Sequence, residues 1–425
     1  GGGGGGSGYY SGGGGGSTTS ANGNAGGGGG GGAGYANTGA GVTVTQNNAG
    51  SGATPGNSAD TDRNGAGAGG TAGTSVSDGS AGANGIIIIT YTISGNSTAT
   101  STRVSWAQFN TSTDAIESPN PGNGVCTGWC SDAAYYLPQS RKGFQLVTYN
   151  GYLYVMGGTS SSCSGTNNAC TTVYIAKLGA NGEPQLWHPT DTNKNNWVYW
   201  YTNTGLSGGA DGRSYYGAVA SNNRMYLLGG KTNSAGGGVT TVEVADIQPQ
   251  GTLGSWSTSG MQALPYVLHS FTVHIYNDVM YLIGGNSNGT LKSDVYYSKL
   301  SSTGTMNSWT ATSNFSSYGA RSTLGGSFST VWGAYIYVAG GCGTLTTGLC
   351  SALDSDTLLA SINADGTLAE WNTINNLTSS RAGYNLIAWQ GGLYRMGGCT
   401  SVTSGSCNTA LSTVEYGVIN QDGVP

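Results

Sequence analysis

Charge is what this 425-residue chain has least of: only 8% of its residues are Asp, Glu, Lys or Arg, against about 25% in an ordinary globular domain. Fourteen cations and 19 acids leave a net charge of −5. No run of Lys or Arg occurs, so the basic surface that nucleic-acid binding needs is missing. No apolar run approaches the roughly 20 residues of a membrane-spanning helix. Histidine is scarce, with only His188, His269 and His274. No HExxH, GxSxG, phosphate-binding loop or paired-acid motif is present. The common metalloprotease, serine-hydrolase and nucleotide-binding classes are therefore disfavoured, no metal or cofactor is expected, and the chain is expected not to be an enzyme. Its first residue is Gly, which suggests processing or a fragment of a longer protein.

Glycine and tyrosine are what the chain has in abundance, 79 Gly and 26 Tyr with 10 Trp against 5 Phe. The glycines are uneven. Within residues 1–95, 35 are Gly, and Asp60, Asp62, Arg63 and Asp78 are the only charges. The composition changes near residue 95, giving two expected domains, 1–95 and 96–425.

In the second domain a unit of about 55–70 residues recurs. Its fixed point is an aromatic-rich strand ending in a Gly pair: GYLYVMGG (151–158), NRMYLLGG (223–230), DVMYLIGG (278–285), AYIYVAGG (334–341) and GGLYRMGG (391–398). A β-like run joined by a short Asn/Gly-type turn precedes each. A variable loop and a third strand follow: TVYIAKL, TVEVADI, DVYYSKL, DTLLASI and TVEYGVI. Four of these run through a Gly-containing turn to Trp187, Trp256, Trp309 or Trp371. A unit of about four short strands cannot bury both faces alone, and radial stacking solves this as a β-propeller. A strand that ends against the next blade favours residues without Cβ, which accounts for the Gly pair.

These residues resemble kelch repeats, although the Tyr–Asp usual in the third strand is mostly absent. The resemblance implies an all-β, kelch-type propeller of about five blades over residues 100–425. Six or seven remain open if degenerate repeats lie in 107–140 or 188–210. The last repeat stops at NQDGVP, where its Trp should follow, and an unpaired Trp106 lies in TRVSWAQF. Segment 102–109 is therefore expected to supply the outer strand of the last blade, so that the N- and C-terminal segments close the ring and remove an open edge.

The eight cysteines form close pairs: Cys126/Cys130, Cys163/Cys170, Cys342/Cys350 and Cys399/Cys407. Three pairs fall in the loop after a Gly pair. Neither CTGWC nor the other spacings match a zinc site, so four short-range disulfides and an oxidising, extracellular or cell-surface setting are expected.

The glycine-rich segment could be a Gly/Ser linker. Against this, its glycine blocks (1–6, 12–16, 26–32) alternate with polar turns holding Tyr9, Tyr10 and Tyr35. It also ends in GANGIIIITYTI, with a strand expected over 86–93, a run that would aggregate if left bare. Polyglycine can form an extended three-residue helix like polyproline II. The pattern resembles the glycine-rich domain of anaplastic lymphoma kinase-type receptors and Gly-rich modules of phage tail-fibre adhesins and bacterial surface proteins. That likeness implies a rigid polyglycine-II-type bundle sealed by the Ile-rich strand.

One candidate ligand site stands out. Arg141, Arg213, His269, Arg321 and Arg381 each precede the first strand of a repeat, and propellers of this kind place that position toward the central channel. Bidentate Arg suits the carboxylate of an acidic sugar, and sialic-acid mutarotases are kelch propellers. The competing and favoured reading is that each Arg bonds backbone carbonyls or a carboxylate in an adjacent blade, because no matched base lies nearby. The N-x-S/T sequons at Asn96, Asn110, Asn288, Asn314 and Asn376 are of the number chance supplies. The expectation is an extracellular structural or adhesive protein, able to self-associate into a fibre or attach to a surface. A lectin-like propeller with a glycan ligand or a phage tail-tip adhesin is the alternative, and an acidic-sugar enzyme is less favoured.

Overall fold

The computed structural model describes residues 135–425 apart from 164–167, 180–181, 194, 197, 204, 207–211, 233–237, 376–377, 390, 404, 421–422 and 424–425. Ahead of residue 135 it describes Thr102 and three strands. Two compact units emerge, one of residues 1–89, 105–131 and 178–183, the other of 90–104, 132–177 and 184–425. In the first, β1 (Ile86–Ile87), β2 (Ala107–Asn110) and β3 (Ala115–Glu117) form an antiparallel sheet in that order. The expected polyglycine bundle, the strand beyond Ile87, Trp106, Cys126 and Cys130 lie outside the described residues.

The second unit is a β-propeller of five blades. Blade 1 holds β4 (Gln145–Tyr149), β5 (Tyr152–Met156) and β6 (Val173–Leu178), with β7 (Pro184–Gln185) and β8 (Tyr201–Asn203) outside. Blade 2 holds β9 (Gly217–Ser221), β10 (Arg224–Leu228) and β11 (Val242–Asp246). Blade 3 runs through β12 (Thr272–Tyr276), β13 (Val279–Ser287), β14 (Thr290–Lys299) and β15 (Thr310–Ala311). Blade 4 runs through β16 (Ser329–Trp332), β17 (Tyr335–Thr346), β18 (Leu349–Ser361) and β19 (Asn372–Ile374). Blade 5 holds β20 (Asn385–Trp389), β21 (Gly392–Met396) and β24 (Val414–Val418), with the hairpin of β22 (Cys399–Thr403) and β23 (Ser406–Ala410) between the last two.

Two-residue turns join the first and second strands. Asn150–Gly151, Asn222–Asn223 and Asn277–Asp278 all have positive φ, the geometry that matches the twist of paired strands. The second strand of every blade is the core: Leu153 to Met156, Met225 to Leu228 and Met280 to Ile283 are almost fully buried.

Three repeated contacts lock each blade to the next. In blades 1 to 4 the first Gly of the pair has no room for a side chain. A Cβ on Gly157 would stand 2.6 Å from Arg213 O, and one on Gly284 2.8 Å from Arg321 O, so the expected strand-against-blade contact is present. The second Gly donates its N–H across the blade junction, Gly158 to Arg213 O, Gly230 to Leu268 O, Gly285 to Arg321 O and Gly341 to Arg381 O, at 2.7–2.8 Å. The Tyr three residues before the pair reaches the turn beyond the next blade's third strand. Tyr154, Tyr281 and Tyr337 Oη donate to Gly251, Gly366 and Gly423 O at 2.7, 2.9 and 2.7 Å. Gly423 belongs to NQDGVP, which is thus the fifth copy of the turn.

Of the segment expected to close the ring, residues 103–106 lie outside the described residues. The described end of the expected closing strand, Ala107–Asn110, pairs with Ile86–Ile87 and Ala115–Glu117. Among the described residues Val414–Val418 pairs only with Gly392–Met396. Its Tyr416 and Val418 are 58% and 59% exposed.

Candidate functional site

The loops that follow the Gly pairs and the segments that enter the first strands gather at one end of the propeller. Three of these loops are closed by Cys163–Cys170, Cys342–Cys350 and Cys399–Cys407, with Cα separations of 5.1, 5.9 and 5.6 Å. In blades 4 and 5 the staples sit in β-hairpins that rise beyond the blade. The two meet where Gly405 N–H donates to Cys350 O at 3.0 Å.

At the axis a ring of hydrogen bonds frames the channel mouth. Tyr215 N–H donates to Gly143 O, Ser270 N–H to Tyr215 O and Thr323 N–H to Ser270 O, at 2.7–2.8 Å. Gly143 and Gly383 hold φ of +61° and +68° at equivalent places, and Tyr215 and Ser270 adopt +55° and +56° there. A left-handed Tyr or Ser costs on the order of 1–3 kcal/mol and persists only where surroundings enforce it. Beside this ring lies a small cavity lined by Gln145, Tyr215, Ser270 and Thr323 among others, of about 10 Å³, room for one water at most. A sugar ring does not fit in it.

The five candidate ligand residues are brought to this end, but they are buried. Arg141 and Arg321 are 0% exposed, Arg213 and Arg381 4% and His269 7%. Each Arg donates through Nη1 to the first Gly of its own blade's pair: Gly157 O at 2.8 Å, Gly229 O and Gly397 O at 3.2 Å, and Gly340 O at 3.4 Å. The other nitrogen is spent as well. Arg141 reaches Thr172 Oγ1 at 2.8 Å and stacks on Tyr174. Arg213 pairs with Glu243 at 2.7 Å, Arg321 with Asp356, and Arg381 with Glu415 at 2.7 Å. These guanidiniums fasten the strand end to the third strand, so the carbonyl part of the favoured reading holds while the carboxylates come from the same blade and not from an adjacent one. Burial pulls the Arg141 and Arg213 pKa values down, and burial raises Glu243 despite the opposing charge of Arg213.

His269 is not the fifth member of this set. The bridges Lys142↔Thr159, Ser214↔Lys231, His269↔Asn286, Ser322↔Cys342 and Ala382↔Cys399 make His269 the counterpart of Lys142. Leu268, whose carbonyl receives the Gly230 N–H, occupies the Arg position and is 1% exposed. In blade 3 the third strand is instead held by Tyr266 Oη donating to Asp294 at 2.8 Å.

Two Ser–His pairs invite a nucleophile reading and fail it. His269 Nδ1 lies 3.0 Å from Ser270 Oγ, but burial and the charge of Lys231 push its pKa down to about 3. His274 Nε2 lies 2.8 Å from Ser329 Oγ, with Ser329 0% exposed and burial pulling the His274 pKa to about 4. Neither imidazole is a useful general base. Among the described residues no cluster of three or more His, Cys, Asp or Glu could hold a metal. His188 sits apart; its Nδ1 accepts the Asp191 N–H at 2.9 Å. Sequence reasoning missed Arg395. It replaces an apolar core residue of the second strand, is 1% exposed and shares Glu415 with Arg381.

No protein-family profile matches the chain, and no curated protein matches it. Solved structures do, 371 chains in all, so many that the fold singles out no one activity. One, titled "Structure of YjhT", is 16% identical with a TM-score of 0.53, over 80% of this chain and 98% of that one. At that identity the likeness shows the fold alone.

Proposed function

We propose that this is an extracellular, non-enzymatic surface protein whose kelch-type propeller presents one rigid, charge-poor end for adhesion or assembly. The observation that carries the reading is the set of three disulfide-closed loops at equivalent places in blades 1, 4 and 5. Segments 159–172, 342–353 and 399–413 contain no charged residue and are rich in Ser and Thr. Disulfides suit an oxidising compartment, and loops that are already ordered lose less entropy on binding. Among the described residues no helix is long and apolar enough to cross a membrane.

A lectin-like role is the second reading. Hydroxyl rungs on the stapled hairpins favour it: Thr346 Oγ1 to Ser351 Oγ at 2.9 Å, Ser401 Oγ to Thr409 Oγ1 at 3.0 Å and Asn408 Nδ2 to Thr403 Oγ1 at 2.7 Å. The weakly basic His269 and His274 speak against an acidic-sugar enzyme. Electron microscopy of the native protein tests the first reading. Ordered filaments that change when residues 1–95 are removed support a fibre subunit with the glycine-rich segment as polymer contact. Dispersed particles remove the fibre and leave the adhesin and phage tail-tip forms, for which a glycan array follows.

A further inference from the structure

The bridges and blade-junction hydrogen bonds define a second ring at the stapled end, just beyond the Gly pairs. Within each blade the bridges pair Lys142 with Thr159, Ser214 with Lys231, His269 with Asn286, Ser322 with Cys342 and Ala382 with Cys399. Between blades, the bonds Gly158–Arg213, Gly230–Leu268, Gly285–Arg321 and Gly341–Arg381 hold the preceding residues together. They set Thr159 beside Ser214, Lys231 beside His269, Asn286 beside Ser322 and Cys342 beside Ala382. The ring thus reads Lys142, Thr159, Ser214, Lys231, His269, Asn286, Ser322, Cys342, Ala382, Cys399.

No carboxylate is in it. Of the Arg residues one position earlier, Arg213, Arg321 and Arg381 are paired with Glu243, Asp356 and Glu415, and all four, Arg141 included, are matched by carbonyls through Nη1. Lys142 and Lys231 are not: each is half-buried, and no hydrogen bond or ion pair to either ammonium is present among the described residues. Burial alone pushes both amines down. A chain that spends charge so sparingly leaves two ammonium groups on one arc, separated by the hydroxyls of Thr159 and Ser214.

We infer that the arc from Lys142 to His269 is an anion site, which takes a carboxylate or sulfate group of an acidic glycan. The inference rests on the surface-binding reading and gives it a ligand class. Lys142 and Lys231 supply charge from adjoining blades, and the half-buried Thr159 supplies a neutral hydroxyl donor between them. The glycan chain lies outside, along the stapled loops, because the cavity lined by Gln145, Tyr215, Ser270 and Thr323 is too small for a sugar ring.

The test measures binding of the full chain to polygalacturonate, dextran sulfate and neutral dextran at low and high salt. Lys142→Met and Lys231→Met keep the apolar stems, and circular dichroism and the thermal midpoint establish that they fold. The expected result is binding of one or both acidic polymers, weakened by salt, with each change costing roughly tenfold, the size of one charge-assisted hydrogen bond. Polygalacturonate alone assigns the site to carboxylate and dextran sulfate alone to sulfate. Equal binding by the double variant, or by neutral dextran, overturns the inference. So does failure of both acidic polymers to bind, even where the native protein still assembles or adheres; that outcome leaves the surface-protein reading standing.

Discussion

His274 illustrates how a half-buried side chain contributes to the response to acid. Its imidazole is enclosed between the first strands of blades 3 and 4 and is neutral, with a folded pKa near 4 against 6.5 in a free chain. Between those values the unfolded chain binds the proton and the folded one does not. Stability is therefore full above about pH 6.5 and falls as pH drops toward 4. The shift corresponds to on the order of 3 kcal/mol. Urea unfolding of His274→Asn at pH 7.5 and 4.5 should show a markedly smaller loss between the two than the native chain; an equal loss would mean that His274 does not set the slope. Arg213 makes the complementary case. With Glu243 it forms an ion pair whose side chains are 4% and 7% exposed. Arg213→Ala leaves that carboxylate and Gly229 O buried without it, and should cost about 3–5 kcal/mol, read from the urea midpoint.

Strand ends and turns are where glycine carries the argument, and two substitutions separate its roles. Gly230 has φ +89°, and a Cβ there would lie 2.4 Å from Tyr216 Cβ. Gly391 has φ +79° with nothing within 4 Å. Gly391→Ala should cost only about 1 kcal/mol of backbone strain, while Gly230→Ala adds a clash that moves the Tyr216 backbone and should cost several times more. Thermal midpoints compare the two, and equal losses would refute the close-approach account. The Gly pairs, the third strands and the three described disulfides were legible in the sequence because each depends on local chemistry that recurs: a backbone needing no Cβ, a β-forming run at a fixed place in the repeat, and cysteines in equivalent loops. The Arg register was legible in part. A spacing of 16 residues to the Gly pair, kept by Arg141, Arg213 and Arg381, points to Leu268; the polar character of its neighbour drew attention to His269. In blade 4 the extra residues of Gly325–Ser327 stretch the spacing and hide the equivalence of Phe328 with Tyr216. Arg395 was not legible, since the other second strands carry Val155, Leu227, Leu282 and Val338 at that place and its partner Glu415 comes from a strand read as ordinary.

Across the whole molecule the blades form a chain of near neighbours, each holding the next through a buried tyrosine hydroxyl. Stability is then shared between blades and their junctions, as in other repeat architectures. The junction between blades 4 and 5 is the one most open to a clean test, because its acceptor, Gly423 O, lies in the short segment beyond the last strand. Removing residues 420–425 deletes no strand, yet it takes away the partner of Tyr337 Oη, a group buried at 0% exposure. An unsatisfied buried hydroxyl costs about 1–3 kcal/mol. The truncated chain should unfold earlier by that amount, and hydrogen exchange should quicken in Tyr335–Ala339 of blade 4 while Tyr152–Met156 of blade 1 stays protected. Tyr337→Phe in the full chain removes the same bond from the donor side, and leaves only the better-hydrated carbonyl unpaired. It should reproduce the local change in exchange with a smaller loss of stability. If truncation instead loosens all five blades equally, the junctions do not act as separate links, and the propeller unfolds as one indivisible unit.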